Sequence, residues 1–320
     1  MHISQESSND EAAPQAARKP KRTPTFERTP RDILIGVALV LAGGLLWGAN
    51  ATVSKILMGV YHADPLWIAC VRELVAGVIF LACSAVFTPR LLVGALRDRT
   101  SYPRLLACSL VCVLLVQVSY LKAIDWTNSG TATVLQTLNL LFVLAIVCVR
   151  SQRLPRIKES VGVALAFAGT VLIATGGDLT QLSLPLPGLV WGLADAMSTS
   201  LMAIAPLALM NRWGNFTING IMFVISGIVL LPFVRPWATA PTFDTLGWAL
   251  MAFTIIGGTF AAFWLFLAGT QRCGAMRATM LGTSEPVTAT ITGVLFAGAV
   301  FTPTDLAGFA MIIIMVFLIK

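Results

Sequence analysis

Apolar positions in this chain fall in long unbroken runs, without the alternation that marks a half-buried strand or an amphipathic surface helix. Reading the runs against Pro, Gly and charged punctuation predicts helices near 33–57, 66–87, 105–121, 130–149, 160–175, 188–209, 217–234, 246–268, 276–298 and 304–319. Runs of roughly 17 to 25 apolar residues match what a helix needs to cross ~30 Å of hydrocarbon. Ten transmembrane helices are therefore expected, with no strands. Residues 1–32 break the pattern: they are polar, contain prolines and turn basic from Arg18 onward, which predicts a disordered cytoplasmic tail and no secretory leader.

Composition sharpens this into an exclusion. The chain is 57% hydrophobic and 12% charged, with a mean hydropathy of +0.82, whereas soluble domains carry about 25% charged residues. The net charge of +7 does not indicate nucleic-acid binding, because the basic residues occupy the gaps between apolar runs and do not gather on one face. Cytoplasmic loops retain Lys and Arg, and placing alternate gaps on that side puts 18 of the 22 there, against Arg235 alone opposite. The expectation is a multi-pass protein of the cytoplasmic (inner) membrane with both termini cytoplasmic. Six cysteines without a Cys-x-x-Cys pair, and two histidines near the N-terminal side, read as small buried hydrophobes and no metal site. No Gly-x-x-x-x-Gly-Lys-Ser/Thr loop for ATP and no intramembrane nucleophile with a base is present. Neither an enzyme nor a cofactor is expected.

The chain also repeats itself. Trp47-Gly48 in the first run returns as Trp191-Gly192, 144 residues later. Ala132-Thr133-Val134-Leu135 aligns with Ala278-Thr279-Met280-Leu281, and Gly162 with Gly308, both at an offset of 146. Each of those last two glycines follows an acid by three residues, Glu159 and Asp305. The repeat divides the chain into five-helix units at 33–176 and 187–320. Five is odd, so the second unit must enter the membrane upside down relative to the first, and inverted repeats are a recurrent way to build an alternating-access transporter.

The residues at these positions resemble a known family. Trp47-Gly48-Ala49-Asn50 running to Lys55, the stretch from Pro65 to Arg72, and Gly274-Ala275-Met276-Arg277-Ala278-Thr279 with Glu285-Pro286 look like the bacterial EamA family of the drug/metabolite transporter superfamily. The resemblance covers about 33–320, with departures at Gly298-Ala299 and at Asn139-Leu140, where family members often have Gly-Glu and a small residue with Pro. It implies ten helices in two inverted five-helix repeats, working by alternating access and often exporting amino acids or other metabolites.

Ionisable residues within spans cost a few kcal/mol on insertion scales and so need a partner, a wet cavity or a route to the interface. Lys55, Arg72 and Glu73 lie in the outer third by residue counting, Asp195 and Glu285 nearer the midplane. The substrate or coupling candidates are Trp47, Asn50 and Lys55 on the first helix, Arg72 on the second, Gln117 and Tyr120 on the third, and Gln136 and Asn139 on the fourth. Trp191, Asp195 and Ser198 share one stripe of the sixth helix, and Glu285 precedes a helix-kinking proline in the ninth. For each there is a competing structural reading: interhelical hydrogen bonding for the uncharged groups, packing pairs for the acids, snorkelling or pairing with a neighbouring acid for Arg72. Acids and bases along an aromatic-lined path suit a zwitterion such as an amino acid, carried by secondary active transport with proton or exchange coupling. A nucleotide-sugar or organic-phosphate carrier, or a drug or cation exporter, is the alternative. The partners expected are a small solute and the lipid bilayer.

Overall fold

The structure, a computed structural model of the chain, describes residues 29–319 apart from the side chains of Ala275 and Met276. The tail expected over 1–32 lies, up to residue 28, outside the described residues. All regular structure among the described residues is helical: α1 (Pro30–Gly59), α2 (Pro65–Phe87), α3 (Pro89–Arg97), α4 (Arg99–Trp126), α5 (Ser129–Arg150), α6 (Ile157–Thr175), α7 (Leu186–Ile204), α8 (Leu207–Trp213), α9 (Asn215–Val234), α10 (Thr245–Cys273), α11 (Ala275–Leu281), α12 (Ser284–Ala297) and α13 (Pro303–Leu318). Among the described residues, α1, α2, α4, α5, α6, α9 and α10 are long and apolar enough to cross a bilayer, seven in all, and the bent pair α7 and α8 raises the count to eight. The chain is an all-helical, multi-pass membrane protein. The expected ten spans are not reached by length alone, since α13 has 16 residues and α11 and α12 have 7 and 14.

Two expected runs are interrupted for local reasons. The run over 188–209 bends by 40° between α7 and α8, where Pro206 has no N–H for the Met202 carbonyl and its ring crowds the preceding turn. The run over 276–298 breaks between α11 and α12. Pro286 cannot donate to the Gly282 carbonyl, which instead accepts from Glu285 N at 3.0 Å. Helix α5 is also interrupted, between Gln136 and Asn139, although no proline lies there. Helices α4 and α10 each carry a wider π-helical stretch, Ser109–Leu114 and Phe253–Ala261.

Side chains flanking the spans fix where the helices begin. Thr29 and Asp32 cap α1 reciprocally, as Thr302 and Asp305 cap α13, which satisfies first-turn N–H groups and sets an acid against the positive end of the helix dipole. Glu159 accepts from Arg156 N at 2.6 Å and from both Arg153 guanidinium nitrogens at 2.7 and 2.9 Å. The acids three residues before Gly162 and Gly308 are thus helix starts.

Packing partners exchange in pairs. Helix α1 packs on α10 and α12, and α7 packs on α4 and α5; α2 lies against α9, α6 against α13, and the first part of α5 against α12. Glycines set the closest approaches. A Cβ on Gly227 would stand 2.6 Å from Leu74 Cγ, and one on Gly220 would stand 2.9 Å from Leu81 Cγ. The two contacts are reciprocal at the sequence offset of 146, Leu74 to Gly220 and Leu81 to Gly227. Between them, a Cβ on Gly77 would meet Val224 N at 2.9 Å and Phe223 Cβ at 3.1 Å.

Loops tie the two halves together at both ends of this α2/α9 pair. At one end Tyr61 donates its hydroxyl to Asp244 Oδ1 at 2.8 Å and Trp67 Nε1 donates to Pro236 O at 3.1 Å, with Tyr61, Trp67 and Trp248 set edge-on around Phe243. At the other, Arg212 pairs with Asp98 at 2.9 Å and lies over the Trp213 ring. The Thr100 and Ser101 hydroxyls, and then Arg212, hold the Asp98 carboxyl below its ordinary range; the Gly247 N–H and the Tyr61 hydroxyl do the same for Asp244.

Two outcomes follow. Gly77→Val is expected to lower thermal stability in detergent, with overpacking of this kind costing about 1–3 kcal/mol, while Gly59→Ala, which meets nothing within 4 Å, leaves it unchanged or slightly raised. For Asp98 and Asp244 the folded pKa lies below the unfolded one, so their contribution is complete above the ordinary carboxylate range and fades as pH falls through the depressed values. A melting-temperature series against pH should show this acid-side loss diminished in Asp244→Asn.

Candidate functional site

The polar centre is built from α2, α4, α5, α7 and α12. Asp64 starts α2 by accepting from Leu66 N and Trp67 N, and Arg72 follows on a turn that faces the interior. It does not snorkel: Arg72 is 2% exposed, its Nη2 donates to Gln117 Oε1 on α4, and its Nε has no acceptor. One turn further along α4, Tyr120 is buried within electrostatic reach of Arg72, Asp195 and Glu285.

Asp195 on α7 is fully buried. Its Oδ1 is 3.5 Å from the Ser119 and Thr199 hydroxyls, Gln136 of α5 faces the same carboxylate, and Oδ2 has no donor. Ser119 is already committed to the Leu115 carbonyl at 2.5 Å, so Asp195 is under-satisfied. Glu285 lies within electrostatic reach of it, presented by the first turn of α12 immediately after the Pro286-driven break. Gln136 closes the first part of α5 at the corresponding break. A guanidinium, two carboxyls, a phenol and two amides therefore converge inside the bundle, in surroundings where unpaired polar groups are costly and polar partners are bound strongly.

Other sequence candidates sit elsewhere. Lys55 donates to three carbonyls, Ile124 O at 2.9 Å and Asp125 O and Thr127 O at 2.8 Å each, so its cation closes the negative end of α4. Trp47 packs on α10, its ring centroid 5.1 Å from Phe263 and 4.9 Å from Phe266. Asn50 presses its side chain onto Gly258 and leaves Oδ1 without a donor. Trp191 packs beside the core around Tyr120 and Leu121, and Ser198 turns its hydroxyl back to the Ala194 carbonyl of its own helix at 2.8 Å. Asn139 is half-buried at the start of the second part of α5.

Two features were not among the sequence candidates. Glu73, next to Arg72, is fully buried with neither carboxylate oxygen hydrogen-bonded; Ser226 of α9 faces it without reaching hydrogen-bond geometry. Its ionisable character within a span was the available signal. Thr52, Ser129 and Thr292 link α1, α5 and α12 by hydroxyl contacts of 3.1 and 2.7 Å. Threonine and serine in apolar runs are too common to single these out.

The sequence pattern of the EamA-like transporter family matches this chain twice, over residues 34–175 and 186–320. The chain belongs to the EamA-like transporter family. It is 29% identical to the inner membrane transporter YicL of Salmonella typhimurium over 89% of this chain and 95% of that protein. It is 24% identical to the transporter YwfM of Bacillus subtilis over 86% and 90%, and 27% identical to a transporter of Archaeoglobus fulgidus over 68% and 74%. A solved crystal structure shares the fold, with a TM-score of 0.61 and 16% identity over 90% of this chain and 96% of that one. As an EamA-like protein the chain is a membrane transporter of the drug/metabolite transporter superfamily.

Lys55→Met is expected to destabilise the fold, because three carbonyls at the end of α4 lose a charged donor and a hydrogen bond to a charged group is worth about 1.5–3 kcal/mol, and to leave solute binding intact. Thermal melts of the apo protein, with ligand-induced shifts measured alongside, check both halves of that expectation.

Proposed function

We propose that this protein is a secondary active transporter of the cytoplasmic (inner) membrane that exports a small zwitterionic metabolite of amino-acid type by alternating access. The observation that carries the reading is that buried Tyr120 lies within electrostatic reach of Arg72, Asp195 and Glu285 alike, groups borne on helices from both halves of the chain. A zwitterion offers a carboxylate to the guanidinium and an ammonium to the acids. The alternative of a nucleotide-sugar or organic-phosphate carrier calls for several free cations, and Lys55 is engaged with carbonyls. Three acids, Asp195, Glu285 and Glu73, against one arginine favour a solute with a cationic group, so a cation or drug exporter is the second reading.

Several observations support two inverted five-helix units, 33–176 and 187–320, and the distribution of Lys and Arg, 18 of 22 on one side, supports placing both termini in the cytoplasm. Exchanging α1 with α7, α2 with α9, α4 with α10, α5 with α11 and α12, and α6 with α13 carries the main packing pairs onto one another: α1/α10 onto α7/α4, α1/α12 onto α7/α5, and α2/α9, α6/α13 and α5/α12 onto themselves. The seam contacts of Leu74 and Leu81 recur at the sequence offset, and so do the break within α5, matched by that between α11 and α12, and the π-helical stretches. In this reading two nearly equivalent halves trade conformations and open the central group to either side in turn. Proton coupling through Asp195 or Glu285 is the proposed energy source.

A thermal-shift screen against amino acids, nucleosides, sugars and organic cations should find its largest stabilisation with a zwitterion or cation, since a ligand stabilises the state it binds. Asp195→Asn and Glu285→Gln are each expected to abolish solute-driven shift and proteoliposome transport while the protein still folds. Transport that survives both substitutions and collapse of the proton gradient would remove proton coupling. Tags on the two termini that report opposite faces would remove the inverted arrangement.

A further inference from the structure

The loop contacts at the two ends of the α2/α9 pair are related to each other. Asp98 and Asp244 stand 146 residues apart, as do Trp67 and Trp213, the same offset as in the α2/α9 seam. Helices α2 and α9 have 23 and 20 residues, which at ~1.5 Å per residue separates the two ends by about 30 Å. At each end an aspartate of the loop after the second helix of one half is held by a side chain from the other half: Tyr61 for Asp244, Arg212 for Asp98. At each end a tryptophan sits beside that contact.

The correspondence is incomplete in an informative way. Trp67 gives its indole N–H to the Pro236 carbonyl at 3.1 Å, whereas the Trp213 indole N–H is buried without an acceptor. The residue 146 before Pro236 is Arg90, on α3. Trp213 already lies directly on that helix, since a Cβ on Gly94 would stand 2.3 Å from its Cζ3.

We propose that these are the two gate latches of the transport cycle: Tyr61, Trp67 and Asp244 close one mouth, and Asp98, Arg212 and Trp213 close the other. The structure holds the first fully made and the second partly made. Complete closure of the second mouth brings the Trp213 N–H to the Arg90 carbonyl. This inference rests on the alternating-access reading above and adds the residues that gate it. The strength of the latches fits the task. The Arg212 side chain is 58% exposed, exposed ion pairs of this kind contribute little, and a protein that must visit both conformations needs locks that thermal motion can open. The chemistries also differ, because a screened ion pair weakens with salt while a neutral hydroxyl donor does not.

The test uses the full chain in lipid nanodiscs, its six native cysteines kept, with spin labels on unnatural amino acids. One pair is placed at 92 and 211, the other at 62 and 242, and the distance distribution of each is measured. Tyr61→Phe with Asp244→Asn is expected to widen the 62/242 end and narrow the 92/211 end, changing the ratio of the two populations about two- to fivefold. Asp98→Asn with Arg212→Gln is expected to do the opposite, and raised salt to mimic only this second pair. The charge swap Asp98→Arg with Arg212→Asp should restore the wild-type distribution, which a general loss of fold would not do. Ends that move in opposition but ignore these variants would overturn the latches and leave alternating access standing. Ends that always open and close together would overturn alternating access itself.

Discussion

The close antiparallel contact of α2 with α9 is the interaction on which the rest of the fold depends. Within a bilayer, lipid tails are as apolar as leucine, so helices gain nothing by hiding apolar surface from one another. Association then rests on how near two backbones can come. Gly77, Gly220 and Gly227 permit that approach, and Leu74 and Leu81 fill the space the missing side chains leave. Part of the polar centre is hung from this seam: Arg72 and Glu73 project from α2 a turn before Gly77, and the loops that meet at either end continue from the same two helices.

A second tension is chemical. The seam and its neighbours exclude water from a group of side chains that prefer it. Asp195 Oδ2, Arg72 Nε and both Glu73 oxygens lack partners, whereas most buried polar atoms in folded proteins have one. Purely structural polar contacts in the same protein look different. Lys55 meets three carbonyls, and Glu159 is bound by Arg153 and a backbone N–H. The contrast within a single chain is between groups whose bonding capacity is used in holding helices in place and groups in which part of it is unused.

Helix positions, the membrane character and the family were legible in the sequence, because apolar run length and punctuation act locally. Pro286 marked the break before α12, and Asp195, Glu285, Arg72, Gln117, Tyr120 and Gln136, singled out in the sequence as substrate or coupling candidates, lie near one another inside the bundle. What failed was direction. Residue counting placed Arg72 near enough to the interface to snorkel, yet the turn it occupies faces inward; Ser198 shares the Asp195 stripe but spends its hydroxyl on its own helix. The bend at Pro206 was passed over because apolar residues continue through it. The break in α5 has no local marker at all, and it is recognisable only from its counterpart 146 residues on. Such features depend on which neighbours surround a turn, which a single run of residues does not encode.

That unmarked break carries a consequence of its own. Across Gln136 to Asn139 every residue keeps its amide hydrogen, so α5 is able to rewind into an uninterrupted rod. Pro286 withholds the corresponding hydrogen from α12, and no rearrangement supplies it. One hinge is therefore elastic and the other permanently cut. A duplicated scaffold built this way has near-symmetry of shape without symmetry of energy, so its two corresponding breaks do not yield equally to the same push.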